Sequence, residues 1–204
     1  MFALRRWYRA TRYGPPIVIV SGLPRSGTSM VMRLLEAGGV PVVSDGIRRA
    51  DAGNPHGYFE DERVKSLDKG GDKSWLRGAR GKAIKIISFL LRELPEANNY
   101  DVIFVRRDMR EVLASQDALL KALGNDDASA ANHERMAAGF RDHLAGVDRF
   151  LVERPGFRVL YLEHGDLIRR SLEQAQRIAH FVDRPLDVVA MAAAVDPALH
   201  HHGR

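Results

Sequence analysis

The 204-residue chain has no cysteine and no apolar run long enough to cross a bilayer. The first absence excludes disulfide bonds and cysteine-ligated zinc sites. The N-terminus also lacks the apolar core of a signal peptide, so we expect a cytoplasmic location. Basic residues outnumber acidic ones by 31 to 26, a mild excess that suits an anionic ligand and does not by itself indicate nucleic acid. A hydrophobic content of 45% is enough for a packed core.

A further absence lies inside the most informative segment, residues 17–29, which reads Ile-Val-Ile-Val-Ser-Gly-Leu-Pro-Arg-Ser-Gly-Thr-Ser. A buried strand is predicted before Gly22, and an apolar stripe predicts a helix after Gly27. A strand, a glycine-bounded loop and a helix N-terminus together form a phosphate cradle. An ATP-type loop has lysine directly after the second glycine, but here Thr28 takes that place and the cation is Arg25. The segment therefore predicts a phosphate-binding loop without the lysine of nucleotide kinases.

The remaining chain alternates between strand and helix patterns. We predict strands at 17–21, 83–87, 102–106 and 157–162, and later helices at 109–123, 130–153, 172–182 and 186–194. This alternation predicts an α/β fold: a three-layer sandwich with a mainly parallel sheet flanked by helices, of the P-loop nucleotide-kinase-like type. We expect one domain over 1–204, in which 40–80 is a lid or acceptor-site segment and 1–14 a basic lead-in.

A second anion site is predicted where the strand at 102–106 ends. Arg107 follows that strand, Asp108 is a suitable N-cap, and Ser115 lies two turns further along the helix. Because two turns return to nearly the same helix face, Arg107 and Ser115 can converge on one oxyanion. Two anion sites at neighbouring strand ends suit a ligand that is phosphorylated at two places.

With these two motifs, the chain resembles the sulfotransferases that use 3′-phosphoadenosine 5′-phosphosulfate (PAPS). The matching segments are Gly22-Leu-Pro-Arg-Ser-Gly-Thr-Ser29 and Arg107-Asp-Met-Arg-Glu-Val-Leu-Ala-Ser115. The resemblance implies that the 5′-phosphosulfate is held by Pro24, Arg25, Ser26, Gly27, Thr28 and Ser29. It also implies that Arg107 and Ser115 hold the 3′-phosphate and that adenosine 3′,5′-bisphosphate is the leaving product. We expect no metal requirement, because the sulfuryl group carries less charge than a phosphoryl group and Arg25 can supply the cation.

The chain departs from the resemblance in one informative way. Cytosolic members also bind the 3′-phosphate with a late Arg-Lys-Gly segment, and this sequence has no such segment. The candidates to replace it are Arg106, Arg110 and the C-terminal Arg204.

Sulfuryl transfer needs a base to take the acceptor's proton. The segment Asn54-Pro-His-Gly-Tyr-Phe-Glu60 is similar to a segment of related bacterial sulfotransferases, which makes Glu60 the first candidate. The alternative for Glu60 is a carboxylate that starts a helix. Asp45 is the second candidate and His56 the third. Lys85, in the predicted strand 83–87, is a candidate to contact the transferring group, as is Arg25.

Other readings stay open at this level. A P-loop kinase is disfavoured by Thr28, and a non-catalytic nucleotide-binding module would need Arg25, Arg107 and Ser115 but no base. Nucleic-acid binding is disfavoured because the basic residues are dispersed. The N-terminal segment either packs on the domain, which we favour, or makes weak contact with a membrane surface. The acceptor is open among sugar, lipid, peptide and small metabolite, and the oligomeric state is open.

Overall fold

A computed structural model describes residues 2–47, 59–122 and 130–196. Within these ranges a single sheet of five parallel strands organises the chain. The strands are β1 (Ile17–Gly22), β2 (Val42–Val43), β3 (Ala83–Lys85), β4 (Tyr100–Arg106) and β5 (Phe157–Glu163). Their order across the sheet is β2-β3-β1-β4-β5. The two strands that carry the predicted anion sites, β1 and β4, are therefore neighbours.

The strand register fixes where the functional segments emerge. Gly22 pairs with Val105, and Val20 pairs with Lys85. Because all strands are parallel, the loop after β1, the Arg107 segment after β4 and Lys85 at the end of β3 share one edge of the sheet. Ligands of such sheets bind beyond the carboxyl ends of the strands.

Helices cover both faces of the sheet. The α-helices are α1 (Phe2–Tyr13), α2 (Thr28–Ala37), α3 (Met109–Ala122), α4 (Ala130–Glu153), α5 (His164–Arg169), α6 (Ser171–Val182) and α7 (Val188–Ala193). In the described part of the chain, three 3₁₀ helices accompany them, at Glu62–Lys69, Ser74–Ala79 and Ser88–Glu93. No helix within the described ranges combines the length and apolar character needed to cross a membrane.

Strand β1 shows why the sheet is apolar on both sides. Its alternate residues Val18 and Val20 pack into a core with α2, α6 and α7, whereas Ile17 and Ile19 pack into a second core with α4 and the 3₁₀ helices. A strand buried on both faces reads as a continuous apolar run, as residues 17–20 do. The predicted three-layer α/β fold with a parallel sheet is confirmed.

Several element predictions need correction. The region 40–80 has no predicted strand, but its described residues form the edge strand β2 and two 3₁₀ helices. Helix α5 was not predicted, because its six residues are too few for a periodic pattern. The predicted strand at 83–87 is shorter, since only Ala83–Lys85 are in the strand.

The basic lead-in is the helix α1, and its described part packs on the domain. Arg9 donates to the carbonyls of Glu96 and Asn98 and to the side-chain oxygen of Asn99. Gly156 makes this possible, because a Cβ there would lie 2.6 Å from the Arg9 guanidinium nitrogen. This contact supports the reading in which the segment packs on the domain; membrane contact remains a prediction without support from these contacts.

Candidate functional site

The loop between β1 and α2 is held in a conformation that few residues tolerate. Gly27, just before α2, has φ +100°, and a Cβ there would lie 2.6 Å from the His164 ring. A Cβ at Gly22 would collide with Ser26 Oγ and with the Val105 carbonyl. Arg25 takes the left-handed conformation with φ 68°, which is uncommon for a residue with a side chain. The two glycines thus allow the chain to turn tightly between the strand and the helix.

The donors around this loop fit an anion. Helix α2 begins at Thr28, so its N-terminal N–H groups lie in the loop. Ser26 Oγ is buried beside Gly22, and the described residues offer it no hydrogen-bond partner. A buried hydroxyl without a partner is costly unless a ligand or water satisfies it. Pro24, Thr28 and Ser29 are half-buried around it.

The two predicted anion sites meet at Arg25. Its Nε donates to Ser115 Oγ at 3.0 Å, and Arg107 donates from a terminal nitrogen to the Arg25 carbonyl at 3.0 Å. Asp108 accepts from the backbone N–H of Arg110, as an N-cap does, and Ser115 faces inward with 2% exposure. The structure therefore brings Arg25, Arg107 and Ser115 together. It also places the Arg25 side chain on the serine expected at the 3′ end, a contact that the sequence did not predict.

Two residues beside Arg107 and Gly27, Glu111 and His164, were not predicted from the sequence. Glu111 accepts from Arg107 Nε at 2.9 Å, and the same Glu111 oxygen lies 3.9 Å from His164 Nδ1. Arg107 lies just before α3 and Glu111 lies in its first turn, four residues later, and this spacing of opposite charges could have identified the pair. His164 follows β5 and reaches Gly27 only because β5 pairs with β4, so no local pattern could have found it.

A separate charged cluster surrounds the first base candidate. Lys85 Nζ lies 3.3 Å from Glu60 Oε1, and Lys65 Nζ lies 3.7 Å from Glu60 Oε2. Both side chains of the closer pair are well covered, with exposures of 9% for Lys85 and 18% for Glu60. Phe59, with φ 49°, precedes this carboxylate in a left-handed conformation. The structure thus joins Glu60 and Lys85, two residues that were predicted separately.

Asp45 has a different environment. Its two carboxylate oxygens accept from the backbone N–H groups of Ile47 and Glu62, and its own N–H donates to the Glu60 carbonyl. These contacts tie the stretch after β2 to the start of the 3₁₀ helix Glu62–Lys69. The two carboxylates thus differ in their partners, which are backbone N–H groups for Asp45 and lysine ammonium groups for Glu60. The third candidate, His56, lies outside the described residues, as does Tyr58.

The candidates to replace the late Arg-Lys-Gly segment differ in their contacts. Arg106 bonds to Asp148 and stacks on the Tyr161 ring, whose centroid is 4.1 Å away. Tyr161 also donates to Asp148, and burial raises the pKa of Tyr161 to about 12. Arg110 is 95% exposed beside Asp108, and the C-terminal arginine is outside the described ranges. Arg106 is thus already held by protein groups.

The family match covers almost the whole chain. A family model described as the sulfotransferase domain matches residues 15–202. Among solved structures, sulfotransferase STF9 from Mycobacterium avium is similar over all of this chain and 73% of its own, with 17% identity and a TM-score of 0.53. A sulfotransferase from Alicyclobacillus acidocaldarius is similar over 90% of this chain and 87% of its own, with 14% identity and a TM-score of 0.49. No curated protein matches.

Proposed function

This chain belongs to the sulfotransferase domain family, and on that premise we propose that it transfers a sulfuryl group from PAPS to a hydroxyl or amine of an acceptor. The observation that carries the proposal is the contact of Arg25 with both Arg107 and Ser115. It brings together a phosphate-type loop and a second cationic site, which is what a ligand with phosphate at both the 5′ and 3′ positions requires.

The residues of the site fit such a donor. The α2 N-terminus and the Ser26 hydroxyl offer donors to the 5′ end, and Arg25 supplies the cation that a leaving phosphate needs. Arg107 and Ser115 offer a forked guanidinium and a hydroxyl to the 3′-phosphate. Arg25 would exchange its bond to Ser115 for a bond to the donor, which would release the serine hydroxyl for the 3′-phosphate.

The donor supplies an activated sulfuryl group whose S–O bond to phosphate breaks as a new bond to the acceptor oxygen or nitrogen forms. Glu60 takes the proton that the acceptor loses. Lys85 holds the Glu60 carboxylate at 3.3 Å and offers positive charge to the sulfuryl oxygens. Arg25 stabilises the charge that accumulates on the departing phosphate.

The first experiment measures donor-site binding by thermal unfolding with adenosine 3′,5′-bisphosphate, against ATP with Mg²⁺. At a hundredfold excess over Kd, the bisphosphate should stabilise the protein by about 2.7 kcal/mol, or roughly 5–11 °C for a chain of this size. ATP with Mg²⁺ should stabilise it much less, because Thr28 stands where a kinase has lysine.

Arg107→Ala tests the assignment within the site. Losing a charge-assisted bond costs about 1.5–3 kcal/mol, so the bisphosphate shift should fall to half or less. Arg149→Ala is the matched control, since this arginine is exposed on α4 and is not a candidate for the donor site. Equal shifts in the two variants would contradict the proposed donor site. Turnover with labelled PAPS across sugar, lipid, peptide and metabolite acceptors then separates an enzyme from a binding module.

A further inference from the structure

We infer that Glu111 is a positioning residue for donor binding, because it orients the Arg107 guanidinium. The inference rests on the proposed function, because it concerns the residue assigned to the 3′-phosphate. It concerns orientation only, since Glu111 carries the wrong charge to bind a phosphate itself.

The Arg107 guanidinium is fixed from two directions. Its Nε donates to Glu111 at 2.9 Å, and a terminal nitrogen donates to the Arg25 carbonyl at 3.0 Å. The side chain is 8% exposed. A guanidinium is planar and has five N–H donors, so two bonds on different nitrogens fix its plane and leave three donors for an anion. Without Glu111, the Arg25 carbonyl is the one acceptor for this guanidinium among residues 2–47, 59–122 and 130–196, and rotation about that bond would be allowed.

The His164 ring lies beside this carboxylate and belongs to a third element, α5. Its Nδ1 lies 3.9 Å from the Glu111 oxygen that accepts from Arg107, and its ring lies against Gly27. The side chain is 7% exposed, so the ring has little freedom to move. The Glu111 carboxylate therefore lies between Arg107 and His164, and the His164 ring in turn lies against the loop at Gly27.

Glu111 also has an opposing effect, which makes the inference testable. A carboxylate next to a phosphate site repels the ligand, and Glu111 is 27% exposed. If repulsion dominates, removing Glu111 strengthens binding of the bisphosphate. If orientation dominates, as we infer, removing it weakens binding, whereas a neutral acceptor of the same shape preserves it.

The experiment measures the Kd of adenosine 3′,5′-bisphosphate by calorimetry for Glu111→Ala and Glu111→Gln. Losing the orienting bond should weaken binding by roughly threefold to tenfold in Glu111→Ala, the range of one net hydrogen bond. Glu111→Gln should stay within about twofold of the parent, because its amide oxygen still accepts from Arg107. Glu173→Ala, at an exposed position on α6, is the control, and kcat at saturating PAPS should change little in each variant.

A double-mutant cycle separates orientation from a general structural role. In the Arg107→Ala background, Glu111→Ala should have little further effect on Kd, because its target is gone. An undiminished effect in that background, or tighter binding by Glu111→Ala alone, would overturn the inference. Failure of Arg107→Ala itself to weaken binding would instead overturn the proposed function. If Glu111→Ala does not fold, Glu111→Met removes the acceptor at similar side-chain length.

Discussion

The assignment of Glu60 as the base makes the sharpest prediction about catalysis. Glu60→Gln keeps the shape of the side chain and an oxygen for Lys85 Nζ, but it cannot take a proton. Loss of a general base lowers the rate by about 10²–10⁴-fold, which corresponds to roughly 2.7–5.4 kcal/mol on the barrier. We therefore expect kcat to fall within this range at saturating PAPS.

Donor-site affinity and stability, by contrast, should change little in Glu60→Gln. Glu60 contacts Lys85 and Lys65 and has no described contact with Arg107 or Ser115, so the Kd of adenosine 3′,5′-bisphosphate should stay within about twofold of the parent. The amide still accepts from Lys85, so the stability loss should be roughly 1 kcal/mol or less, about 2–4 °C in Tm.

The assay is the initial rate of labelled sulfuryl transfer to the acceptor found by screening, followed from pH 5.5 to 9. Glu36→Gln is the matched control, because Glu36 is exposed on α2. A Glu60→Gln enzyme that keeps a third or more of the parental kcat would refute the assignment of Glu60. A comparable test of Asp45→Asn would then identify the next candidate.

Three further predictions concern the stability of the fold and the loop at the site. Asp101→Asn should lower the free energy of unfolding by about 2–3 kcal/mol, because the buried Asp101 carboxylate accepts two hydrogen bonds from the partly exposed Arg158. Urea titrations measure this change, and an unchanged urea midpoint would count against the prediction. Gly27→Ala should abolish most of the bisphosphate thermal shift, since its Cβ would lie 2.6 Å from the His164 ring; a full shift would contradict the loop geometry. Burial lowers the pKa of His143 below its usual value, so its folded form binds fewer protons than its unfolded form. The contribution of His143 to the free energy of unfolding is therefore complete above about pH 6.5, the pKa of histidine in the unfolded chain. It is lost as the pH falls toward the lower pKa of His143 in the folded protein. His143→Gln should therefore flatten the decline of the urea midpoint between pH 7.5 and 5.5, and an equally steep decline would exclude His143 as its source.

The sequence by itself determined the architecture and the two anion motifs. The apolar run of β1 requires burial on both faces, which implies covering helices and a parallel sheet. The glycine spacing before α2 and the Arg107 to Ser115 spacing are local features, because each depends on the geometry of one loop or one helix. Long helices and strands with a periodic apolar pattern were therefore predictable. The two-residue strand β2 and the six-residue helix α5 are too short to show such a pattern.

Only the tertiary structure decided how these segments meet. The contact of Arg25 with Ser115 depends on β4 lying next to β1, and the approach of His164 to Gly27 depends on β5 pairing with β4. The pairing of Lys85 with Glu60 joins residues 25 positions apart. A sequence pattern reports the helix or strand preferences of neighbouring residues, whereas the order of the strands is set by how whole helices pack on the faces of the sheet. For this reason the sequence could predict Arg25, Arg107 and Ser115 as candidate site residues, while their distances and their partners, Glu111 among them, emerged from the assembled sheet.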